Sequence, residues 1–181
     1  NLPFIQERTV DNDPTKTFTR RTSDGVTEHV LIVPRDQLFL RFSLFDKLTD
    51  GDDDLDMYVY YCGLDGSSCS KIGQSGEPTS QEQFNLYRPA AGVYGVYIHG
   101  FETDQVTGGP GATYKLLAWS FGNVDDKGNM SATGPAFVNA GTTASVTVDW
   151  AGLLSDTIYL GGISHVTPQG VSALTLITIG N

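Results

Sequence analysis

The sequence predicts an all-β fold, an antiparallel β-sandwich followed by a smaller β module, and three observations carry that prediction. Short runs rich in Tyr, Phe, Val and Leu recur between turn residues at intervals of about ten. In the clearest run, Leu55, Met57, Val59 and Tyr61 alternate with Asp56, Tyr58 and Tyr60, the period of a strand with one apolar face. No stretch combines helical apolar spacing with end caps.

Residues 1–13 contain Asp11-Asn12-Asp13 ahead of Pro14 and no sustained periodicity, so they read as a linker or leading arm. Strands are expected at 17–20, 28–33 and 37–45, separated by Asp24-Gly25 and Pro34-Arg35-Asp36. In the third, Leu38, Leu40, Phe42 and Leu44 form a wholly apolar face that belongs to the core. After the acidic strand come Ser80 to Tyr87, Gly92 to Gly100 and Thr113 to Phe121, with Gly108-Gly109-Pro110-Gly111 marking a loop before the last. Composition shifts at 122–129, where a domain boundary is placed near 124. Beyond it small residues dominate, and strands are expected at 130–138, 144–150, 157–164 and 173–179. Four strands make a marginal core, which implies a compact half-sandwich or packing on the first sandwich.

Two cysteines, Cys62 and Cys69, flank the turn-rich Gly63 to Ser68. A hairpin there brings their side chains together, so a disulfide is expected, the alternative being two free thiols. Eleven basic against 21 acidic residues give a net charge of −10, which opposes binding to nucleic acid. No apolar run reaches the roughly 20 residues of a membrane span. A chain that starts at Asn1 reads as a mature or excised piece.

Asp50, Asp52, Asp53, Asp54 and Asp56 crowd the entrance to the acidic strand, and like charges so close call for a cation, a basic partner or full hydration. Clustered hard oxygen donors favour Ca²⁺ over zinc or copper. Asp52, Asp54 and Asp56 are the first candidates as ligands, because alternate residues project to one side. An EF-hand is excluded: Leu55 stands where its loop needs Gly, and Tyr61 where it needs a bidentate Glu. Tyr58 and Tyr60 share a face, either as sandwich filling or as a binding surface for an extended polymer. The three histidines, His29, His99 and His165, are scattered through strand-like contexts, with no G-x-S-x-G segment, so no catalytic constellation is visible. Asn129-Met130-Ser131 matches a glycosylation acceptor, a motif short enough to arise by chance.

Asp54-Leu55-Asp56-Met57-Tyr58-Val59-Tyr60, followed by Pro89-Ala90-Ala91-Gly92-Val93-Tyr94-Gly95-Val96-Tyr97-Ile98, resembles the bacterial pre-peptidase C-terminal domain over residues 14–121. Arg88 stands where that family usually has Asn. The resemblance implies a jelly-roll sandwich over 14–123, appended to a secreted protease. It also makes Asp11 and Asp13 second-rank calcium candidates, because an acidic arm contributes to the metal site in some relatives. Ser145 to Leu153, Tyr159 to His165 and Leu174 to Ile177 are similar to the fibronectin-like C-terminal segment of bacterial subtilisin-like proteases, here 124–181. Together these imply a secreted, extracellular, non-catalytic accessory region that is stabilised by calcium and whose partners are a catalytic protease domain in the same precursor and an extracellular protein or polysaccharide substrate. The alternative is a free-standing binding module for an insoluble polysaccharide or fibrous protein.

Overall fold

Leu55, Met57 and Val59 are fully buried, whereas Asp56, Tyr58 and Tyr60 between them are half-buried on the opposite face. The alternation of the acidic strand therefore sets which side meets the core. The structure is a computed structural model that describes residues 1–104, 111–123, 125, 128–139 and 141–180. Gly108, Gly109 and Pro110 of the expected loop lie outside the described residues, as does part of the expected boundary segment.

The chain divides into two units, Phe4–Asn123 and a second made of Asn1–Pro3 with Val124–Asn181. In the first, eight strands follow in order: β1 (Phe4–Val10), β2 (Val26–Val33), β3 (Gln37–Ser43), β4 (Asp54–Tyr61), β5 (Ser70–Ser75), β6 (Gln83–Tyr87), β7 (Gly92–Glu102) and β8 (Ala112–Gly122). They form two four-stranded antiparallel sheets, β1-β8-β3-β6 and β2-β7-β4-β5. First pairs with last, second with seventh, third with sixth and fourth with fifth. That nesting is the double Greek key of a jelly roll. The core between the sheets holds Leu40, Phe42 and Leu44 from one side, Leu55, Met57 and Val59 from β4, Tyr94, Val96 and Ile98 from β7, and Tyr114 and Leu116 from β8.

Three expectations for the first unit differ from the structure. The leading arm is in part a strand, since β1 pairs with β8 from Phe4 to Val10. Strand β5 was not anticipated either. Both are edge strands with few buried side chains, so neither shows the apolar alternation that marks a half-buried strand. Conversely, residues 17–20 form no strand. The sole helical element among the described residues is a 3-10 turn, Asp46–Leu48. No described helix is long and apolar enough to cross a membrane.

In the second unit β9 (Met130–Thr133) pairs with β10 (Thr147–Trp150), and β11 (Tyr159–Thr167) with β12 (Gly170–Ile179), as two separate antiparallel ladders. The expected strand at 130–138 stops at Thr133, just before Gly134-Pro135, because proline has no N–H for a ladder. Asn1 adds to β11: its terminal amine donates to Leu160 O (2.9 Å) and its carbonyl accepts the Leu160 N–H (3.1 Å).

Candidate functional site

Register places the two conspicuous segments of the sequence side by side. Strands β4 and β7 pair with Asp56 opposite His99, Tyr58 opposite Tyr97 and Tyr60 opposite Gly95. Opposed residues share a face, so these side chains form the outer surface of their sheet.

Residues 11–20 run across that surface as a strap. Asn12 bridges Gly100 in parallel, and the Asp13 N–H donates to Gly100 O (2.8 Å). Two glycines make room for it. A Cβ on Gly100 would sit 2.3 Å from Asp11 O, and one on Gly25, whose φ is +66°, would sit 2.8 Å from the Asp13 Cβ. The Asp13 carboxylate accepts the Thr15 N–H, the Thr15 hydroxyl and the Thr17 N–H, which winds the strap into a turn. Phe18 then stacks on Tyr58 with ring centroids 3.7 Å apart and planes 8° from parallel. Arg20 lies over Tyr60 (4.7 Å) and Tyr97 (5.1 Å) and donates to the Tyr97 hydroxyl, which donates to Glu28 Oε1 (2.6 Å). Tyr58 and Tyr60 are thus neither sandwich core nor a bare platform. They are an outer aromatic layer under the strap.

His99 is the centre of this arrangement. Its side chain is 1 % exposed, with Nε2 2.9 Å from Asp13 Oδ2 and Nδ1 3.4 Å from Asp56 Oδ2. Only an imidazolium donates from both ring nitrogens. Burial opposes that charge, but hydrogen bonding and attraction from Asp56 and Asp13 prevail and hold the His99 pKa above its ordinary value. Burial likewise works against the Asp13 anion, yet the hydrogen bonds from His99, Thr15 and Thr17 keep its pKa well below the usual carboxylate range. The Tyr58 hydroxyl donates to Asp56 (3.3 Å), and its own pKa is pushed up to about 12 by burial and the Asp56 charge. Nearby Glu82 is fully buried and accepts the Glu77 N–H (2.7 Å). Burial first, then the Asp56 and Glu77 charges, raise its pKa to about 7.

The acidic loop is laced to the segments around it through backbone N–H groups. Asp50 accepts the Thr113 N–H, Asp104 Oδ2 accepts the Asp52 N–H (2.9 Å), and Asp53 Oδ1 accepts the Asp104 N–H (2.9 Å). Asp53 is 6 % exposed, and its Oδ2 is buried with no hydrogen-bond partner among the described residues. Burial, then repulsion from Asp104, Asp50 and Asp52, raises its pKa.

The expected ligand set is not assembled. Asp52 is exposed, Asp54 opens β4 opposite Glu102, and Asp56 turns to His99. Asp13 also turns to His99, and Asp11 is exposed. Among the described residues no three or more His, Cys, Asp or Glu side chains converge as a metal cage. Sequence reasoning missed Asp53 as the buried member, although the parity that Asp53 shares with Leu55, Met57 and Val59 is a signal that could have placed it inward. Nothing local pointed to Asp104, 51 residues further on.

The other histidines have structural partners. His29 lies 2.5 Å from Gln6 Oε1 and 2.6 Å from the Tyr114 hydroxyl, and burial, with Arg8 nearby, lowers its pKa to about 4, so it is neutral near pH 7. His165 contacts Thr175 Oγ1 at 2.8 Å on the β11–β12 ladder.

Cys62 and Cys69 form the expected disulfide, which closes the turn between β4 and β5. Replacing both cysteines by serine is expected to cost about 2.5 kcal/mol in the chain-entropy account of a short loop. The urea midpoint of the double variant checks this, and an unchanged midpoint would show that the turn holds itself together.

No protein-family model matches the chain, and no curated protein matches it. Among solved structures it is similar to that of PliG from Aeromonas hydrophila, a periplasmic lysozyme inhibitor of g-type lysozyme. The likeness covers 65 % of this chain and 83 % of that one, at 12 % identity and a TM-score of 0.37. A likeness of that size carries no argument about activity.

Proposed function

We propose that this chain is a non-catalytic accessory region of a secreted subtilisin-like serine protease, which stabilises, exports or targets a catalytic domain in the same precursor. The observation that carries the reading is the register of β4 on β7: the two segments that resemble the pre-peptidase C-terminal domain are neighbouring strands of one jelly-roll sheet, with Tyr58 opposite Tyr97. The Cys62–Cys69 disulfide supports an oxidising, extracytoplasmic location. The alternative, a free-standing polymer-binding module, has less support, because Phe18 already covers a face of Tyr58.

Calcium belongs to this proposal with Asp53 as its point of contact. The lone Oδ2 of Asp53, with the Asp50, Asp52 and Asp104 charges around it, suits a hard cation better than do the dispersed Asp52, Asp54 and Asp56. Asp53 Oδ2 would contact the ion, whose charge would offset the repulsion from Asp50, Asp52 and Asp104 and fasten the entrance of β4.

The reading frame on the N-terminal side of Asn1 tests the proposal, since it should encode the Asp, His and Ser segments of a protease. An unrelated neighbour there would sink it. The purified chain alone is expected to leave casein and gelatin intact, and hydrolysis sensitive to serine-protease inhibitors would overturn the non-catalytic assignment.

A further inference from the structure

Strand β2 is an edge of its sheet, with β7 on one side and no described strand on the other. Which of its backbone groups face outward follows from the register. The Gly100 N–H donates to Gly25 O (3.0 Å), in line with the pairing of Val26 with His99, so Gly25 and Gly100 form a hydrogen-bonded pair. Alternation along an antiparallel ladder then turns Thr27, His29, Leu31 and Val33 toward β7. The N–H and C=O groups of Val26, Glu28, Val30 and Ile32 point to the free side. Contacts on the other flank of β7 agree, because Val93 exchanges both of its backbone hydrogen bonds with Cys62 and Gly63.

Three of those four residues also carry exposed side chains on the outer face: Glu28, Val30 (53 % exposed) and Ile32 (80 % exposed). Natural edges are blunted by lysine, proline, a bulge or an inward charge. Strand β2 has none of these, and its register on β7 is unbroken over all eight residues. Its one carboxylate, Glu28, is offset within its own chain by Arg20 through the shared Tyr97 hydroxyl. In a chain of net charge −10, this strip is locally close to neutral.

We propose that β2 is an interface with a second copy of this chain, in which two β2 strands pair antiparallel about a two-fold axis at Val30. The two four-stranded sheets then become one of eight strands. In this register Val30 meets the partner's Val30, and Ile32 meets the aliphatic stem of the partner's Glu28. The outward backbone groups of Glu28, Val30 and Ile32 on each copy find partners, because the same set of residues is presented in reverse order. The two Glu28 side chains stay four residues, or about 13 Å, apart. Pro34, one residue beyond the strand, has no N–H to extend the ladder, so the contact is short and the dimer weak.

Sedimentation velocity across a concentration series up to roughly 1 mM tests this, a range suited to a small interface. A monomer–dimer equilibrium is expected, together with hydrogen-exchange protection of the Val30 and Ile32 amides that grows with concentration. Ile32→Glu changes an exposed side chain, sets a second carboxylate against the partner's Glu28 and should make the protein monomeric. Ile72→Lys, on the opposite edge strand β5 of the same sheet, should leave the dimer intact. A monomer at the highest concentration, a dimer that survives Ile32→Glu, or one lost in Ile72→Lys but not in Ile32→Glu would each overturn the proposal.

Discussion

Replacing His99 by alanine is expected to destabilise the first unit by about 3–5 kcal/mol, the range for removing one partner of a buried ion pair. The Asp13 side chain is 2 % exposed and that of Asp56 is 16 % exposed, so both anions would keep most of their burial and lose their cation. The urea midpoint measures the loss. Its dependence on pH separates this effect from simple loss of packing. The folded pKa of Asp13 is depressed, so its contribution is present above about 3.8 and fades as pH falls toward its folded value. His99 is shifted upward, so its contribution is complete below about 6.5 and fades as pH rises through its folded value. The gap between wild type and His99→Ala should therefore be widest between about pH 4 and 6.5 and should narrow on the alkaline side. Two further groups act on wild type and variant alike. Glu82, raised to about 7, lowers stability as pH rises from 4.5 to 7, and His29, lowered to about 4, lowers it as pH falls from 6.5 to 4. A gap that does not change between pH 5 and 9, or one below about 1 kcal/mol, would mean that His99 is held there as a neutral ring.

Calcium is expected to raise the melting temperature of the first unit by about ten degrees, through Asp53. With free calcium at about 100 times the dissociation constant, mass action contributes roughly 2.7 kcal/mol. In a unit the size of Phe4–Asn123 that amounts to roughly 10 °C. Asp53→Asn should do two things at once. In chelator it should stabilise the protein, because the folded pKa of Asp53 is raised and its ionisation costs stability as pH rises above 3.8. In calcium it should remove most of the response. Asp54→Asn should leave that response largely in place, since Asp54 stands apart at the start of β4, and Asp125→Asn should not touch it. Ionic strength must be held constant and Mg²⁺ run alongside, because screening alone relieves part of the repulsion. Equal melting temperatures in calcium and chelator would leave a proton as the neutralising partner of Asp53.

The sandwich itself was legible because burial on one face imposes a period of two. Leu55, Met57 and Val59 declared the core side of β4, and Leu40, Phe42 and Leu44 that of the strand before it. The disulfide was legible for an equally local reason, since a turn between neighbouring strands leaves its flanking cysteines close together. Edge strands β1 and β5 escaped, because a strand with one neighbour and little burial is free to be polar. The strap escaped too. Phe18 and Arg20 resemble strand residues, but what they meet is Tyr58, Tyr60 and Tyr97 on a sheet built from later parts of the chain.

From the sequence by itself came an acidic, all-β chain with one aromatic and carboxylate-rich strand, and the need for something positive near its aspartates. Only the tertiary structure decided what answers that need. Asp13 and Asp56, 43 residues apart, are brought to either side of His99, another 43 residues on, while Asp53 is brought against Asp104. Charge density is a local property that can be counted along a chain. Its compensation acts through space at a few ångströms, and which groups come that close is fixed by strand register and by two glycines that let the strap lie flat.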